Sequence, residues 1–596
     1  MIKYFRLRPS ISPVVQQRLA WLFLVVIVLV YVAWMGDQVI LRYDIFKATA
    51  FDLGNMDQAV WNTLHGRFFQ FTNHGSNWYG EPIRLAQHVE PILIPLSLLY
   101  LFHADPRILL VFQTLALASG ALPVFLLTRR ILPSWPLLAP ALVLAYLYSP
   151  AVIGVNLFDF HPDCLATPFL LYALLALTYG RYAWCVLACF LTMMCKEDMP
   201  LVVAMLGVLV AWKYKLPRLG ALLFVAGLFW FVITFKVIIP HFNAGAQNNF
   251  WYRYAVLGKT PGEALRNVLL HPWLLITSYV TLDRVYYLAS LLRSSGFLAL
   301  LAPEWLLPAL PILAINLLSG ENFQYSGVYH YNAAIVPFVI IAALHGTRRL
   351  ILLWSAWRGE IGADAAMQMD IPVADAHVQR QVRSGRFPVG APIALWGQRV
   401  TTRLLSAPVA FARPVAAHPL IAQRIQPRLR TLTQRLAVHR RLFDVRMGAL
   451  AQILPAGALQ WLCVVWVVAL LALNYFIMIP QFNIFWAYHR PGAREQQIER
   501  LLALIPPGAS VSASGNINPH LSEREYVTVF PELTVSTLER SNVPVDYVVV
   551  DLSNVSPENK DHSASFLSKL NQIQREKQFR TVARAEGVIL LVRNNP

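Results

Sequence analysis

Long apolar runs, interrupted by short polar clusters, organise the first three quarters of the chain. The first, "LAWLFLVVIVLVYVAWM", is followed by others of roughly 18 to 22 residues, each long enough to cross a hydrocarbon core of about 30 Å. The pattern predicts about eleven spans, near 19–40, 106–128, 135–153, 164–180, 182–196, 198–213, 218–239, 271–292, 297–318, 331–347 and 458–479. Segment 271–292 contains Asp283 and Arg284, which are expensive in lipid unless paired. It is counted as a span because the parity of crossings requires one there. The stretch 91–102 is too short to span and reads as a re-entrant or interfacial helix. The first run lacks a small-residue cleavage site and reads as a signal anchor.

After Tyr488 the periodicity changes. "REQQIERLLALI" and "SASFLSKLNQIQREK" predict amphipathic helices, and "ASVSAS" and "VDYVVVDL" predict strands. "FRTVARAEGVILLVRN" predicts a hairpin turning at Glu586-Gly587. The turn "SASGNINPHL" fits ordinary turn chemistry and a ligand site alike. The expected architecture is an all-α polytopic membrane protein with a small C-terminal α/β extracytoplasmic domain. Its parts are a cytoplasmic tail at 1–18, a transmembrane core at 19–347 with an outer loop at 41–105, an Arg-rich cytoplasmic loop at 348–457, a last transmembrane helix at 458–479, and the α/β domain at 490–596.

Composition agrees: 57% hydrophobic and 14% charged residues exclude an ordinary soluble protein. The net charge of +18 is explained by where the basic residues fall. Sixteen arginines and no lysines lie between Gly346 and Leu450, and basic loops stay on the cytoplasmic side. Together with Lys3, Arg6, Arg8 and Arg18 they predict a multi-pass plasma-membrane protein, N-terminus inside and C-terminus outside, with no nucleic-acid partner. Within the loop, Ile425, Leu429, Leu432 and Leu436 have the spacing of a basic amphipathic helix on an anionic leaflet; a tether is the equal alternative. The five cysteines lie in or beside apolar runs and read as small core residues.

Sorted by this topology, the polar clusters fall on the outer face. They are Asp52 and Asp57 after the first span, "QHVEP" with His88 and Glu90, and "FDFHPD" with Asp159, His161 and Asp163. "KED" (Lys196, Glu197, Asp198), Arg253, and "YHYN" with His330 and Tyr331 complete the set. Each has a structural reading beside a functional one. Asp52 suits a helix N-cap. Asp57, five residues on, lies about 140° round a helix, so the two need not share a face. His161 before Pro162 suits a loop end, and "KED" suits a tight turn.

The combination of "FDLGNMDQAVW", "QHVEP", "FDFHPD", "KED" and "YHYN" resembles the domain of unknown function 2079 family of polytopic membrane proteins, over about residues 40 to 345 and, more loosely, the outer domain. "QHVEP" departs from the usual "HFSP"-like form, and the Arg-rich loop looks like an insertion. The family is grouped with membrane glycosyltransferases of the GT-C type, which use polyprenyl-phosphate sugars. In those enzymes an acidic residue of the first outer loop serves as catalytic base or metal contact, and the resemblance places Asp52 and Asp57 there. It implies a GT-C-like core, a membrane lipid and a polyprenyl-phosphate sugar as partners, and Mg²⁺ or Mn²⁺ as an optional cofactor on Asp52 and Asp57. Sugar transfer from a lipid phosphate needs a carboxylate to take the acceptor proton and positive charge on the departing phosphate. Lys196, Arg253 and His161 are candidates for the phosphate. His88, Asp159, Glu197, Asp198, His330 and Tyr331 complete the expected substrate-binding set. A transporter or flippase is the competing expectation; it favours polar or broken helices at the midplane, where these spans are mostly apolar. The sidedness is tested by labelling: a cysteine placed near Ser355 is expected to be shielded from impermeant thiol reagents in whole cells, and labelling there overturns the orientation.

Overall fold

The apolar runs fold as helices, some long enough to span a membrane and others short or bent. The computed structural model describes residues 12–73, 80–245, 249–360, 444, 446–454, 456–478, 488–554 and 560–594. Among the described residues, five helices are long and apolar enough to cross a membrane: Val14–Asp44, Pro106–Ile131, Pro217–Phe242, Val336–Trp357 and Ala458–Met478. Leu138–Leu147 and Pro150–Leu157 form a further pair bent by 43°. Ser149 takes the extended conformation that Pro150 imposes on its predecessor, and its hydroxyl accepts from the Val152 amide at 3.2 Å. Four shorter apolar helices are Pro162–Thr178, Tyr182–Met193, Met199–Lys213 and Pro303–Leu317.

The expected crossing at 271–292 is not continuous. It divides into Trp273–Tyr279 and Leu282–Arg293, neither long enough to span. Arg284 explains the break: its guanidinium is buried against the carbonyls of Leu317 and Ser319, at 2.7 Å each. A charge satisfied that way holds the segment at one end of the bundle. The stretch 91–102 is likewise a short helix, Leu93–Ser97, with a 3₁₀ turn at Leu98–Leu101.

The chain divides into two compact units, residues 1–347 with 463–596, and residues 348–462. In the second, Arg358 donates to the carbonyls of Ala451 and Leu454 at 3.0 and 2.8 Å. The amphipathic stretch expected around 425–436 lies outside the described residues. In the first unit, the C-terminal domain carries seven strands: β1 (Val511–Ala513), β2 (Val527–Val529), β3 (Thr534–Val535), β4 (Val543–Pro544), β5 (Tyr547–Asp551), β6 (Phe579–Ala585) and β7 (Val588–Arg593). Five form a sheet ordered β2-β1-β5-β7-β6, parallel at β2-β1-β5 and antiparallel beyond. β3 and β4 pair separately. Helix Ala493–Leu502 covers one face, packing Ile498, Leu501 and Leu502 on Val511, Val549 and Leu590. Helix Lys560–Arg575 covers the other, with Leu570 and Ile573 on Val548, Val550 and Leu591. Cover on both faces is why β5 and β7 are continuous apolar runs. Glu586 and Gly587 turn the β6–β7 hairpin with φ of 50° and 82°, as a two-residue connection requires. All five cysteines are free and buried.

Glycine matters most where Met199–Lys213 meets Pro217–Ile233. A Cβ on Gly207 would stand 2.5 Å from the Gly220 carbonyl oxygen, and one on Gly220 would stand 2.5 Å from that of Gly207. Backbone is in contact there, the close approach that small residues give membrane helices. Gly207→Val is expected to cost about 1–3 kcal/mol through overpacking, seen as a lower melting temperature in detergent; an unchanged melt removes this packing from the account.

Candidate active site

Just past the first span the backbone makes a π-helical turn, Ala50–Gly54, that runs into helix Asn55–Leu64. The turn widens the backbone and turns Asp52 into a cavity of about 390 Å³ at one end of the helix bundle. Gly54, not Asp52, stands at the helix start. The cavity is also lined by Asn73, Arg84, His88, Glu90, His161, Asp163, Lys196, Arg253, His330 and Tyr331, and its size suits a small polar headgroup.

Charges of opposite sign alternate along its wall. Asp52 Oδ1 meets His161 Nε2 at 3.3 Å, and its Oδ2 accepts from the Thr49 hydroxyl at 2.5 Å. The His161 ring stacks on His330, centroids 3.8 Å apart at 13°. His330 Nε2 lies 3.8 Å from Asp163 Oδ2, which accepts from Lys196 Nζ at 3.3 Å. Arg84 and Glu90 form a buried two-pronged pair at 2.8–3.1 Å. His88 pairs with Glu197 at 2.9 Å. Arg253 lies over the Phe250 ring at 4.3 Å.

Burial works against a charged Asp52, but the His161 hydrogen bond and charge, the Thr49 hydroxyl and Arg42 outweigh it and hold its pKa below the usual carboxylate value. Burial likewise works against charged His161, and Asp52 and Asp163 outweigh it, raising the pKa. His330 is driven well below the ordinary histidine value by burial and by the positive charge of His161 and Lys196. The two stacked rings are thus shifted in opposite directions. Lys196 is raised despite its burial, through Asp163, Asp198 and Glu197. Inside this wall, His161 Nδ1, His330 Nδ1, Asp163 Oδ1, Asn55 Oδ1 and Arg253 Nε have no hydrogen-bond partner among the described residues. Buried polar atoms normally have one, so these are the atoms a ligand would satisfy.

Of the residues expected from the sequence, Asp52, His88, His161, Lys196, Arg253, His330 and Tyr331 line the cavity. Asp57 does not. Both its oxygens are taken, Oδ2 by the Ser522 hydroxyl at 2.5 Å and Oδ1 by the Tyr100 hydroxyl. Five residues along the helix from Asp52, it faces the C-terminal domain. Asp159 is also withdrawn: it is buried, holds Arg42 at 3.1 Å and accepts from the Thr49 amide at 2.9 Å. It positions the Asp52 turn from outside the cavity. Glu197 stands behind His88, accepting also from the Val89 amide, and Asp198 precedes helix Met199–Lys213. Asp52 and Asp57 therefore do not fit a shared Mg²⁺ or Mn²⁺, and no group of three or more His, Cys, Asp or Glu among the described residues is arranged to hold a metal. Sequence reasoning missed Arg84 and Asn73. The signal for Arg84 was Glu90, a carboxylate six residues on that needs a buried partner.

The residues thus define a polytopic membrane protein with a charged cavity at one end of its helices, capped by an α/β domain. The chain belongs to the DUF2079 family of predicted membrane proteins, whose model matches residues 42–364 and 447–590. Comparison with curated proteins gives no match. Among solved structures, a crystal structure of ArnT from Cupriavidus metallidurans bound to undecaprenyl phosphate is similar at 14% identity, over 96% of this chain and 97% of that one, with a TM-score of 0.43. A likeness that distant leaves the function to be argued from this chain's own side chains.

Burial pushes the Asp57 carboxyl up to about 7, so the folded protein keeps that proton where the unfolded chain has lost it. The stability it contributes is full below the ordinary carboxylate pKa and is lost as pH rises toward about 7, at up to about 1.4 kcal/mol per pH unit. Asp57→Asn is expected to flatten that part of the melting profile relative to wild type. Parallel profiles overturn the assignment.

Proposed function

We propose that the protein is a membrane glycosyltransferase that moves a sugar from a polyprenyl phosphate onto a hydroxyl acceptor in this cavity, on the extracytoplasmic side. The observation that carries the reading is one cavity holding a carboxylate, Asp52, whose pKa its partners hold down, together with Lys196 and Arg253. The first is a base; the others form a seat for a phosphate. Nearby, the chain from Arg253 onward turns apolar faces outward, with Val256, Leu269, Trp273, Ile276 and Val285 each more than half exposed. That surface suits a donor whose tail stays in lipid while its head enters the cavity.

In this reading Asp52 takes the proton of the acceptor hydroxyl. The oxygen's electron pair forms the bond to the anomeric carbon, the carbon–oxygen bond to phosphate breaks, and the phosphate leaves with that pair. Lys196 and Arg253 balance the developing charge where water is sparse and such contacts count most. His161 holds Asp52 in its charged form and in orientation. Gathering of the polar groups at one end, rather than at the midplane, supports transfer over transport.

Asp52→Asn is expected to lower transfer from a polyprenyl-phosphate sugar by about a thousandfold, with insertion and expression unchanged. Arg253→Ala is expected to raise the donor KM about tenfold. Undiminished transfer by Asp52→Asn takes the base role from it.

A further inference from the structure

The turn "SASGNINPHL" has an unexpected place. It reaches the Asp52 turn. Asn518, fully buried, exchanges two hydrogen bonds with Asn73: Asn73 Nδ2 donates to Asn518 Oδ1 at 2.5 Å, and Asn518 Nδ2 donates back to Asn73 Oδ1 at 2.6 Å. Asn73 lines the cavity and also donates to the carbonyl of Ala50, the first residue of the π-helical turn, at 3.1 Å. Asn518 is anchored in its own domain by the Thr528 carbonyl at 3.2 Å. Gly54, the last residue of the turn, lies against the same amide pair. A Cβ there would meet Asn518 Oδ1 at 2.7 Å and Asn73 Nδ2 at 2.9 Å. Both ends of the turn that holds Asp52 therefore rest on one pair of carboxamides, half of it supplied by the C-terminal domain.

We propose that Asn518 is a positioning residue for Asp52, so that the C-terminal domain sets the geometry of the cavity; this rests on the reading of Asp52 as the base. A π-helical turn is rare and lasts where its surroundings hold it. Other hydrogen bonds and ring contacts among the described residues hold the domain in place at positions outside that turn. Ser522 meets Asp57. Gln58 donates to the carbonyls of Arg524 and Glu525 at 3.0 and 3.2 Å, and Thr72 to that of Val527 at 2.7 Å. The His520 ring lies between Tyr43 and Phe46, centroids 4.1 and 4.0 Å away. Docking and positioning are therefore carried by different residues and are separable by mutation.

The test uses the full chain and three variants: Asn518→Ala, Gly54→Ala, and the two combined. Gly54 has φ −59° and ψ −42°, which alanine adopts freely, so its added methyl acts through the amide pair alone. Amide hydrogen exchange is expected to quicken at residues 50–55 in both single variants, with residues 511–529 as protected as in wild type. The double variant is expected to fall short of the two single effects added, since the contact with Asn518 Oδ1 is gone and only Asn73 Nδ2 still meets the methyl. In transfer assays kcat is expected to fall by about tenfold to a hundredfold, with the donor KM little changed. Unchanged exchange at 50–55, or equal loosening at 511–529, overturns the proposal. Absence of transfer in wild type defeats the reading of Asp52 as base, while the exchange result still decides whether Asn518 holds the turn.

Discussion

Asp52 and His161 meet at 3.3 Å in the cavity wall, and the rest of the site follows from what that contact requires. A carboxylate taken out of water is costly unless an opposite charge is beside it. His161 answers Asp52; burial, and after it the charge of His161 and Lys196, holds the pKa of the stacked His330 down; and Asp163, next in line, is answered by Lys196. Each member is a partner to the one before. The sequence clusters that hold these residues are far apart along the chain, and buried charge is what brings them into one wall.

The same logic places charges that never touch the cavity. Asp159 is buried with Arg42 at the end of the first span and ties the chain leaving the membrane to the loop before helix Pro162–Thr178. Asp57 makes hydrogen bonds to Tyr100 and Ser522 and so fastens helix Asn55–Leu64 to the C-terminal domain. Arg84 and Glu90, by contrast, do line the cavity and pair with each other there. Acidic residues near a membrane surface thus divide into those facing a ligand space and those joining elements, and residue type does not distinguish them.

The C-terminal domain belongs to the same construction. Phe46, just beyond the first span, sits in the domain's own apolar core with Ile498, Ile517 and Leu521. His520 stacks on it from above and pairs with Glu499 at 2.7 Å. With Asn518 on the Asp52 turn, membrane core and α/β domain share one polar and apolar boundary.

Local pattern was enough to find the helices, strands β1 and β5, and the β6–β7 hairpin, because period and length are properties of contiguous residues. It located the clusters that hold Asp52, His161, Lys196 and His330, because polar residues at the ends of apolar runs stand out. It erred at 271–292, where the carbonyls that satisfy Arg284 lie in Leu317 and Ser319, beyond any local window. It also could not separate Asp52 from Asp57, or find Asn73 and Asn518. Sequence by itself determined the membrane class, the family and the clusters rich in charge. Only tertiary structure decided which charges share a hollow and which are fastened to a neighbouring element, because that depends on the partner each buried group meets across space.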